Sequence, residues 1–309
     1  MNLTFLDVKT IGDVPNLNKL QEFGNLTQYQ TTAPSEVTER IQNQEVVITN
    51  KVVIDREAMQ ATPTLKLICV AATGMNNVDM EYAEQQGITV KNVKGYSTDS
   101  VAQVTWSMIL SLLQRPGKYS RYVHSGEYSQ SDIFTHFDPP FWQVAGKRLG
   151  IIGLGTIGQR VARIGEAFGM EVAYYSTSGQ HDHARYQRLS LEDLLATSDV
   201  VSIHAPLNEQ TEDLLRYAQL QQMQPHALLV NTGRGGIVNE PDLARAIDEK
   251  IIGGAGMDVF IQEPLPADHP YLRVKNSERL LLTPHLGWAS VEARTTLVEG
   301  VYENIKNFL

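Results

Sequence analysis

The sequence predicts an α/β chain with two doubly wound parallel sheets, and three observations support this prediction. Short apolar runs of strand length alternate with helix-compatible segments along nearly the whole chain, a pattern typical of parallel sheets covered by helices. One of these runs leads directly into a Gly-x-Gly-x-x-Gly turn. The length of 309 residues, of which 42% are hydrophobic, is sufficient for two packed domains.

The first series of predicted strands lies within residues 3–93. Its four members are LTFLDV, EVVITN, LKLICVAAT and ITVKNV. Polar, helix-compatible stretches lie between them, such as SEVTERIQN and NVDMEYAEQQG, and the latter stops at Gly87, which is a helix C-terminal signal. We expect this series to form a small α/β unit of its own.

The second series begins after residue 147. Its six predicted strands are RLGIIG, EVAYYS, DVVSIHAP, ALLVNTG, GGAGMDV and RLLLTPH. Six short strands with helices between them are what a doubly wound dinucleotide-binding sheet requires.

Two further helices are predicted outside these series, one over residues 98–115 before Pro116 and one at the C-terminus. The C-terminal helix has no further sheet to join, so we expect it to pack back on the first unit. The predicted domains are therefore 1–98 plus 288–309, and 99–287. The alternative, that the last helix caps the second domain, is left open by the sequence.

The Gly-x-Gly-x-x-Gly turn consists of Gly153, Gly155 and Gly158, with a helix expected to begin near Ile157. In this motif the first glycine makes a tight turn, the second lets the backbone approach a diphosphate, and the third allows close helix–strand packing. The helix N-terminus favours the negative charge. Because a strand precedes the turn and an amphipathic segment follows it, we predict that the chain binds a dinucleotide.

The bulk composition disfavours several classes of protein. A net charge of −9 disfavours nucleic-acid binding through phosphate contacts. No apolar run is long enough to span a bilayer and no leader pattern stands at the N-terminus, so we expect no membrane partner and a cytoplasmic location. The single cysteine, Cys69, cannot form an intramolecular disulfide and is expected to be buried in a strand. No zinc-type ligand spacing occurs, so no metal site is predicted.

The segment 124–143 is rich in aromatic residues and proline. Such a density of aromatic side chains indicates burial against another surface. A subunit interface and a local cover over the core are equally compatible with the sequence. The residues concerned are Tyr128, Phe134, Phe137, Pro139, Pro140, Phe141 and Trp142.

Three motifs downstream of the glycine turn place reactive residues at predicted strand ends, where open α/β sheets bind ligands. They are NTGRGGIV with Arg234, GMDVFIQEP with Asp258 and Glu263, and TPHLGWAS with His285. In the order and spacing of these residues the whole chain resembles the D-isomer-specific 2-hydroxyacid dehydrogenase family. That resemblance implies a flavodoxin-like substrate domain, a Rossmann dinucleotide-binding domain and a homodimer.

The chemistry of such an enzyme explains these residue types. Reduction of a 2-keto acid delivers hydride to the carbonyl carbon and a proton to its oxygen, and His285 is the natural acid. Glu263 is expected to bind the far ring nitrogen and to stabilise the charged imidazole. Arg234 offers a forked, permanently charged donor to the substrate carboxylate and carbonyl oxygen.

The resemblance also implies further contacts. Asp258 would bind the nicotinamide carboxamide, with the backbone of Thr232 nearby. The AATGMNNVD loop would hold the substrate carboxylate on backbone N–H groups of Thr73, Gly74 and Met75, although a simple strand-to-helix turn capped by Asn77 is the alternative. The remaining residues expected to contact the substrate or coenzyme are Thr73, Gly153, Gly155, Thr156, Ile157, Gly158, Pro206, Thr211, Gly233, Arg234, His285 and Gly287.

Coenzyme choice depends on the end of the second strand of the dinucleotide domain. NAD-binding domains usually carry Asp or Glu there, whereas this chain has Ser176. Ser176 does not repel a 2′-phosphate, but no Lys or Arg follows at once, and His181, His183 and Arg185 lie further along. We therefore favour NAD(H) slightly over NADP(H).

The substrate is expected to be a short polar 2-keto acid, with hydroxypyruvate or glyoxylate first, because the AATGMNN and YSTDSVA segments resemble the glycerate members of the family. Pyruvate and bulkier 2-keto acids, which would make the chain a D-lactate or related dehydrogenase, remain alternatives. Formate dehydrogenases of this architecture carry Gln where this chain has Glu263. A dinucleotide-sensing corepressor is the alternative from a different functional class.

Overall fold

A computed structural model of the chain describes residues 1–180 and 182–309. The chain forms two compact units, one of Met1–Ser97 with Trp288–Leu309 and the other of Thr98–Gly287. The expected boundary lay one residue later, after 98. Thr98 instead begins the first helix of the second unit.

The first unit contains a five-stranded parallel sheet in the order β2-β1-β3-β4-β5. Its strands are β1 Asn2–Phe5, β2 Asn25–Gln28, β3 Val46–Thr49, β4 Leu67–Val70 and β5 Thr89–Asn92. Four of these strands were predicted from the sequence, and β2 was not. That strand reads NLTQ and lies at the edge of the sheet with no fully buried residue, so it lacks the apolar signal of the others.

Helices cover both faces of this sheet. They are α1 Val37–Ile41, α2 Arg56–Gln60, α3 Met80–Gln85 and α10 Val291–Lys306, with 3-10 helices at Val8–Thr10, Leu17–Phe23 and Pro34–Glu36. One core combines the α10 residues Leu297 and Val301 with Phe5 and Cys69, and the other lies beneath α1, α2 and α3. Complete burial raises the pKa of the Cys69 thiol to about 12.

The second unit contains a seven-stranded parallel sheet in the order β12-β11-β10-β9-β6-β7-β8. Its strands are β6 Arg148–Ile152, β7 Glu171–Tyr175, β8 Gln187–Arg188, β9 Val200–Ile203, β10 Leu228–Asn231, β11 Gly254–Met257 and β12 Leu280–Leu282. The six predicted strands are all present. The additional β8 is a two-residue polar edge strand that no periodicity could reveal. The predicted fold class, two doubly wound parallel sheets, is confirmed.

Two helices of the second unit were predicted from the sequence. The helix predicted over 98–115 is α4, and the helix expected near Ile157 begins at Thr156 as α6. The helices are α4 Thr98–Gln114, α5 Pro116–His124, α6 Thr156–Ala167, α7 Leu191–Thr197, α8 Tyr217–Leu220 and α9 Glu240–Asp248, with 3-10 helices at Glu127–Gln130, Pro270–Arg273 and Ser277–Arg279. Among the described residues, no helix is long and apolar enough to cross a bilayer.

In the aromatic segment 124–143, Trp142 packs against the core of its own unit, whereas the phenylalanine side chains do not. The Phe134 side chain is 90% exposed and that of Phe137 65%, and Phe141 is also exposed. The interpretation of this segment as a local cover is therefore wrong for these three residues. Tyr119 and Tyr128 donate hydrogen bonds to carbonyls of the segment, which fixes its backbone while its phenyl rings face outward.

Candidate active site

Reactive residues gather at one edge of the seven-stranded sheet. Strands β10, β11 and β12 are parallel neighbours, so their carboxyl ends lie side by side. Arg234 follows β10 by three residues, Asp258 follows β11 directly, and His285 follows β12 by three residues. The topology therefore brings together segments that lie far apart in the sequence.

The expected pair of Glu263 and His285 forms a direct hydrogen bond. Glu263 Oε2 lies 2.6 Å from His285 Nδ1, and both side chains are partly exposed, by 31% and 24%. The other carboxylate oxygen, Oε1, accepts the backbone N–H of Phe260 at 3.0 Å. The carboxylate is thus fixed by its own loop on one side and orients the imidazole on the other.

The backbone of His285 has a φ of +51°, a region that residues other than glycine seldom adopt. Such conformations cost about 1–3 kcal/mol and persist only where the surroundings enforce them. Here the enforcing group is Asp258, which is 1% exposed. Its Oδ1 accepts from Thr283 Oγ1 at 2.5 Å and Leu286 N at 2.9 Å, and its Oδ2 accepts from Gly287 N at 2.7 Å.

Asp258 therefore holds the chain on both sides of His285. Burial raises the pKa of the Asp258 carboxyl, and the three hydrogen bonds oppose that shift because they stabilise the anion. Gly287 packs closely in this arrangement, since a Cβ there would lie 3.0 Å from Asp258 Oδ2. The contact between Asp258 and a nicotinamide carboxamide stays a prediction.

Hydrogen bonds fix the backbone of the Arg234 loop, whereas the Arg234 side chain is exposed. Asn231, fully buried at the end of β10, accepts from Gly233 N at 3.0 Å and donates to Arg234 O at 2.8 Å. The guanidinium is exposed and donates to Gly233 O at 2.8 Å. Gly235 packs so closely that a Cβ would lie 2.0 Å from the Phe260 carbonyl carbon.

Two further residues that support this loop were missed by the sequence analysis. Asn231 had a local signal, because Asn at a strand end often binds the backbone two residues on. Thr105 on α4 had none. Its hydroxyl lies 2.9 Å from that of Thr232, a contact between buried side chains 127 positions apart.

The glycine turn shows the tight turn expected at Gly153 and the close helix–strand packing expected at Gly158, while the diphosphate contact of Gly155 stays a prediction. Gly153 has a φ of +90°, and a Cβ on Gly158 would lie 2.4 Å from Gly153 O. Gly155 precedes α6, and a Cβ there would meet none of the described atoms within 4 Å. Thr156 at the start of α6 is exposed, whereas the Ile157 side chain packs against the core. The open space at Gly155 fits a diphosphate on a helix N-terminus.

The end of β7 carries hydroxyls and a cation rather than an acid. Ser176 is buried directly after the strand. Arg188 on β8 pairs with Tyr174, and its Nη2 lies 3.6 Å from the Cβ position of Gly179. It forms an exposed ion pair with Asp182 at 3.0 Å. Arg188 is not among the residues predicted from the sequence, because the polar edge strand β8 that carries it has no apolar signal.

Two other side chains considered as partners of a 2′-phosphate make contacts with other protein groups. Arg185 is paired with Glu166 at 2.8 Å, and His183 stacks on Tyr186. His181 lies outside the described residues.

The loop after β9 holds the remaining coenzyme candidates. The Thr211 hydroxyl is buried and donates to Pro206 O at 2.7 Å, so it fixes the loop on which exposed Pro206 lies. Burial lowers the pKa of His204 to about 3, and its Nε2 lies 2.8 Å from Ser202 Oγ. His204 is therefore neutral at pH 7.

In the first unit, the predicted carboxylate loop follows β4. Thr73 Oγ1 donates to Val93 O at 3.2 Å, and Asn92 Nδ2 donates to Thr73 O at 2.5 Å. Within the described part of the chain, the N–H groups of Thr73, Gly74 and Met75 have no hydrogen-bond acceptor. The alternative with Asn77 as helix cap is wrong: Asp79 caps α3, and Asn77 donates to Val52 O.

Comparisons with known proteins agree with this geometry. A family model for the NAD-binding domain of D-isomer specific 2-hydroxyacid dehydrogenases matches residues 106–287. The glycerate dehydrogenase of Methylorubrum extorquens is 38% identical over 91% of this chain and 88% of its own length.

Solved structures are similar over nearly the whole chain. D-lactate dehydrogenase from Aquifex aeolicus, complexed with NAD and lactic acid, has a TM-score of 0.85 at 27% identity and covers 99% of this chain and 95% of its own. An acyclic imino acid reductase, Bsp5, complexed with NADPH and D-Arg, has a TM-score of 0.87 at 27% identity, covering 100% and 97%. The chain belongs to the D-isomer-specific 2-hydroxyacid dehydrogenase family.

Proposed function

We propose that this protein reduces a short polar 2-keto acid to the D-2-hydroxy acid, with hydroxypyruvate and glyoxylate as the first candidates. The observation that carries the proposal is the 2.6 Å contact between Glu263 and His285. An imidazole oriented by a carboxylate is the acid–base group that carbonyl reduction needs. The similarity to a glycerate dehydrogenase supports the choice of substrate.

In the proposed reaction, His285 donates a proton to the carbonyl oxygen from Nε2, the ring nitrogen that does not bind Glu263. The carbonyl double bond opens, and its carbon gains a C–H bond. A bound reduced nicotinamide coenzyme supplies the hydride for that bond. Arg234 binds the substrate carboxylate and carbonyl oxygen, and so stabilises the developing alkoxide. The charge left on the imidazole after proton return from solvent is balanced by Glu263.

The substrate carboxylate is proposed to bind the N–H groups of Thr73, Gly74 and Met75 as well. Among the described residues these three N–H groups have no acceptor, which supports their proposed role in binding an anion. D-lactate and bulkier D-2-hydroxy acids are the alternative products.

For the coenzyme, we retain a slight preference for NAD(H) and propose that NADP(H) is accepted as well. Ser176 brings no negative charge to repel a 2′-phosphate, and Arg188 provides a cation next to the same loop. The Asp182 partner of Arg188 is 86% exposed, so the ion pair is weak and a phosphate can replace it.

The exposed phenyl rings of Phe134, Phe137 and Phe141 support a homodimer, because a closed two-fold contact would bury them. We also propose a cytoplasmic location, since the reaction draws on the nicotinamide coenzyme pool.

A substrate panel tests this function. Hydroxypyruvate, glyoxylate, pyruvate and phenylpyruvate are assayed with NADH and with NADPH by the loss of nicotinamide absorbance, and formate oxidation is assayed in parallel. We expect the highest kcat/KM for hydroxypyruvate or glyoxylate. Turnover of no 2-keto acid with either coenzyme, together with tight coenzyme binding, would favour the corepressor-like alternative.

A further inference from the structure

A second acid–histidine pair lies in the same unit, outside the reactive groups described above. Glu240 Oε2 and His269 Nε2 are 2.7 Å apart, and both side chains are more than nine-tenths buried. A buried carboxylate is costly unless hydrogen bonds satisfy it. An acid at the first position of a helix normally faces solvent, whereas Glu240 opens α9 and faces inward.

Hydrogen bonds determine which atom of His269 carries the hydrogen. The backbone N–H of Tyr271 donates to His269 Nδ1 at 3.2 Å, so Nδ1 accepts and the hydrogen lies on Nε2. His269 therefore donates to Glu240 Oε2. The Tyr271 hydroxyl is buried, and among the described residues it has no hydrogen-bond partner. Burial, and then the charge of Glu240, raise the pKa of Tyr271 well above its usual value.

The second oxygen of Glu240 reaches the loop that carries the catalytic carboxylate. Glu240 Oε1 accepts from Ile261 N at 2.8 Å, and the neighbouring Phe260 N donates to Glu263 Oε1 at 3.0 Å. Two consecutive N–H groups are thus held by two different carboxylates. Gly235 also contacts this loop, since a Cβ on Gly235 would lie 2.0 Å from the Phe260 carbonyl carbon, and the loop therefore has no room to move towards Gly235.

We propose that Glu240 and His269 are positioning residues that hold the 260–263 loop so that Glu263 meets His285. His269 orients the Glu240 carboxylate, Glu240 fixes the Ile261 amide, and the fixed loop presents Glu263 Oε2 to the imidazole. The Ile261 side chain itself is 64% exposed, so core packing does not anchor the loop at this position. This inference rests on the proposed function.

The test compares Glu240→Ala, Glu240→Gln and His269→Gln with Glu249→Gln as a control. Glu249 directly follows the last residue of α9 and binds Arg245 and Tyr217 at the surface. Keto acid reduction needs protonated His285, so kcat should fall at high pH. When Glu263 is no longer held against His285, the protonated imidazole is less stabilised, and this fall in kcat should occur at lower pH. Asp258, the other acid near His285, is unchanged in every variant.

For Glu240→Ala we expect a kcat about tenfold lower, because small displacements of reacting groups are costly. We also expect the high-pH fall in kcat at lower pH and an unchanged coenzyme Kd. Glu240→Gln keeps an acceptor for Ile261 N, and His269→Gln keeps a donor for Glu240, so both should show the same shift to a smaller degree. Glu249→Gln should match the wild type.

A second readout does not depend on turnover. The downfield 1H resonance of the His285 Nδ1 hydrogen, assigned by its loss in Glu263→Gln, should move or broaden in Glu240→Ala. If Glu240→Ala folds and keeps the wild-type pH profile and the wild-type resonance, the positioning role is overturned. If Glu240→Ala does not fold, the same result in both Glu240→Gln and His269→Gln overturns it. Absence of 2-keto acid reduction in the wild type would instead count against the proposed function.

Discussion

The two halves of the carboxyl edge of the seven-stranded sheet are organised differently. Around β10, β11 and β12, the acids and amides are bound to other protein groups: Glu263 to His285, Asp258 to the His285 loop, and Asn231 to the Arg234 loop. Around β6 and β7, a Cβ on Gly155 would meet none of the described atoms within 4 Å, and the ion pair of Arg188 with Asp182 is exposed. The side chains and loops of the first half are therefore held by hydrogen bonds, whereas the second half has space around its glycine turn.

Removal of the imidazole tests the half around β10, β11 and β12 most directly. His285→Ala should lower kcat for 2-keto acid reduction about 1,000-fold, within the range that a general acid contributes. The Kd of the reduced coenzyme, measured by nicotinamide fluorescence, should stay nearly unchanged. Turnover within tenfold of the wild type would refute the acid role.

The Arg234→Lys variant tests whether the forked shape of the guanidinium matters in addition to its positive charge. The ammonium retains the positive charge but cannot make a forked contact, so we expect kcat/KM to fall about 100-fold, or about 2.7 kcal/mol. The measurement is steady-state kinetics with the preferred keto acid. Unaltered kcat and KM together would exclude a forked contact.

In the half around β6 and β7, Gly155→Val should fill the open space before α6. Because a Cβ at this position would meet none of the described atoms within 4 Å, Tm should change little, while coenzyme Kd should rise about thirtyfold, or about 2 kcal/mol. Gly158→Ala is the matched contrast, since its Cβ collides with the Gly153 carbonyl. That variant should lower Tm. Similar Tm losses in both variants would contradict the contrast between the two glycines.

The smallest effect is expected at Arg188. Arg188→Ala should weaken binding of NADPH about tenfold, consistent with one charge-assisted hydrogen bond, and leave NADH unchanged. Arg185→Ala is the control, because that guanidinium is paired with Glu166. Calorimetric titration with 2′,5′-ADP and 5′-AMP isolates the phosphate contribution. Equal losses for both nucleotides would mean that Arg188 only supports the loop.

Much of the fold was predictable because the inner strands are short apolar runs with clear boundaries. The polar edge strands β2 and β8 carry no such signal, and without β8 the position of Arg188 could not be foreseen. The pairing of Glu263 with His285 was predictable from motif order. The roles of Thr105, Glu240 and His269 depend on contacts between distant segments, which local patterns do not encode.

The membership of α10 in the first unit has a consequence for biosynthesis. One face of the five-stranded sheet is closed by four α10 residues that are at most 1% exposed, Leu297, Val298, Val301 and Ile305. A ribosome makes the strands of this sheet before the contiguous second unit and α10 after it, so this face stays open until α10 has been made. The second unit can therefore complete its fold while the earlier-made sheet still lacks the helix that covers one of its faces.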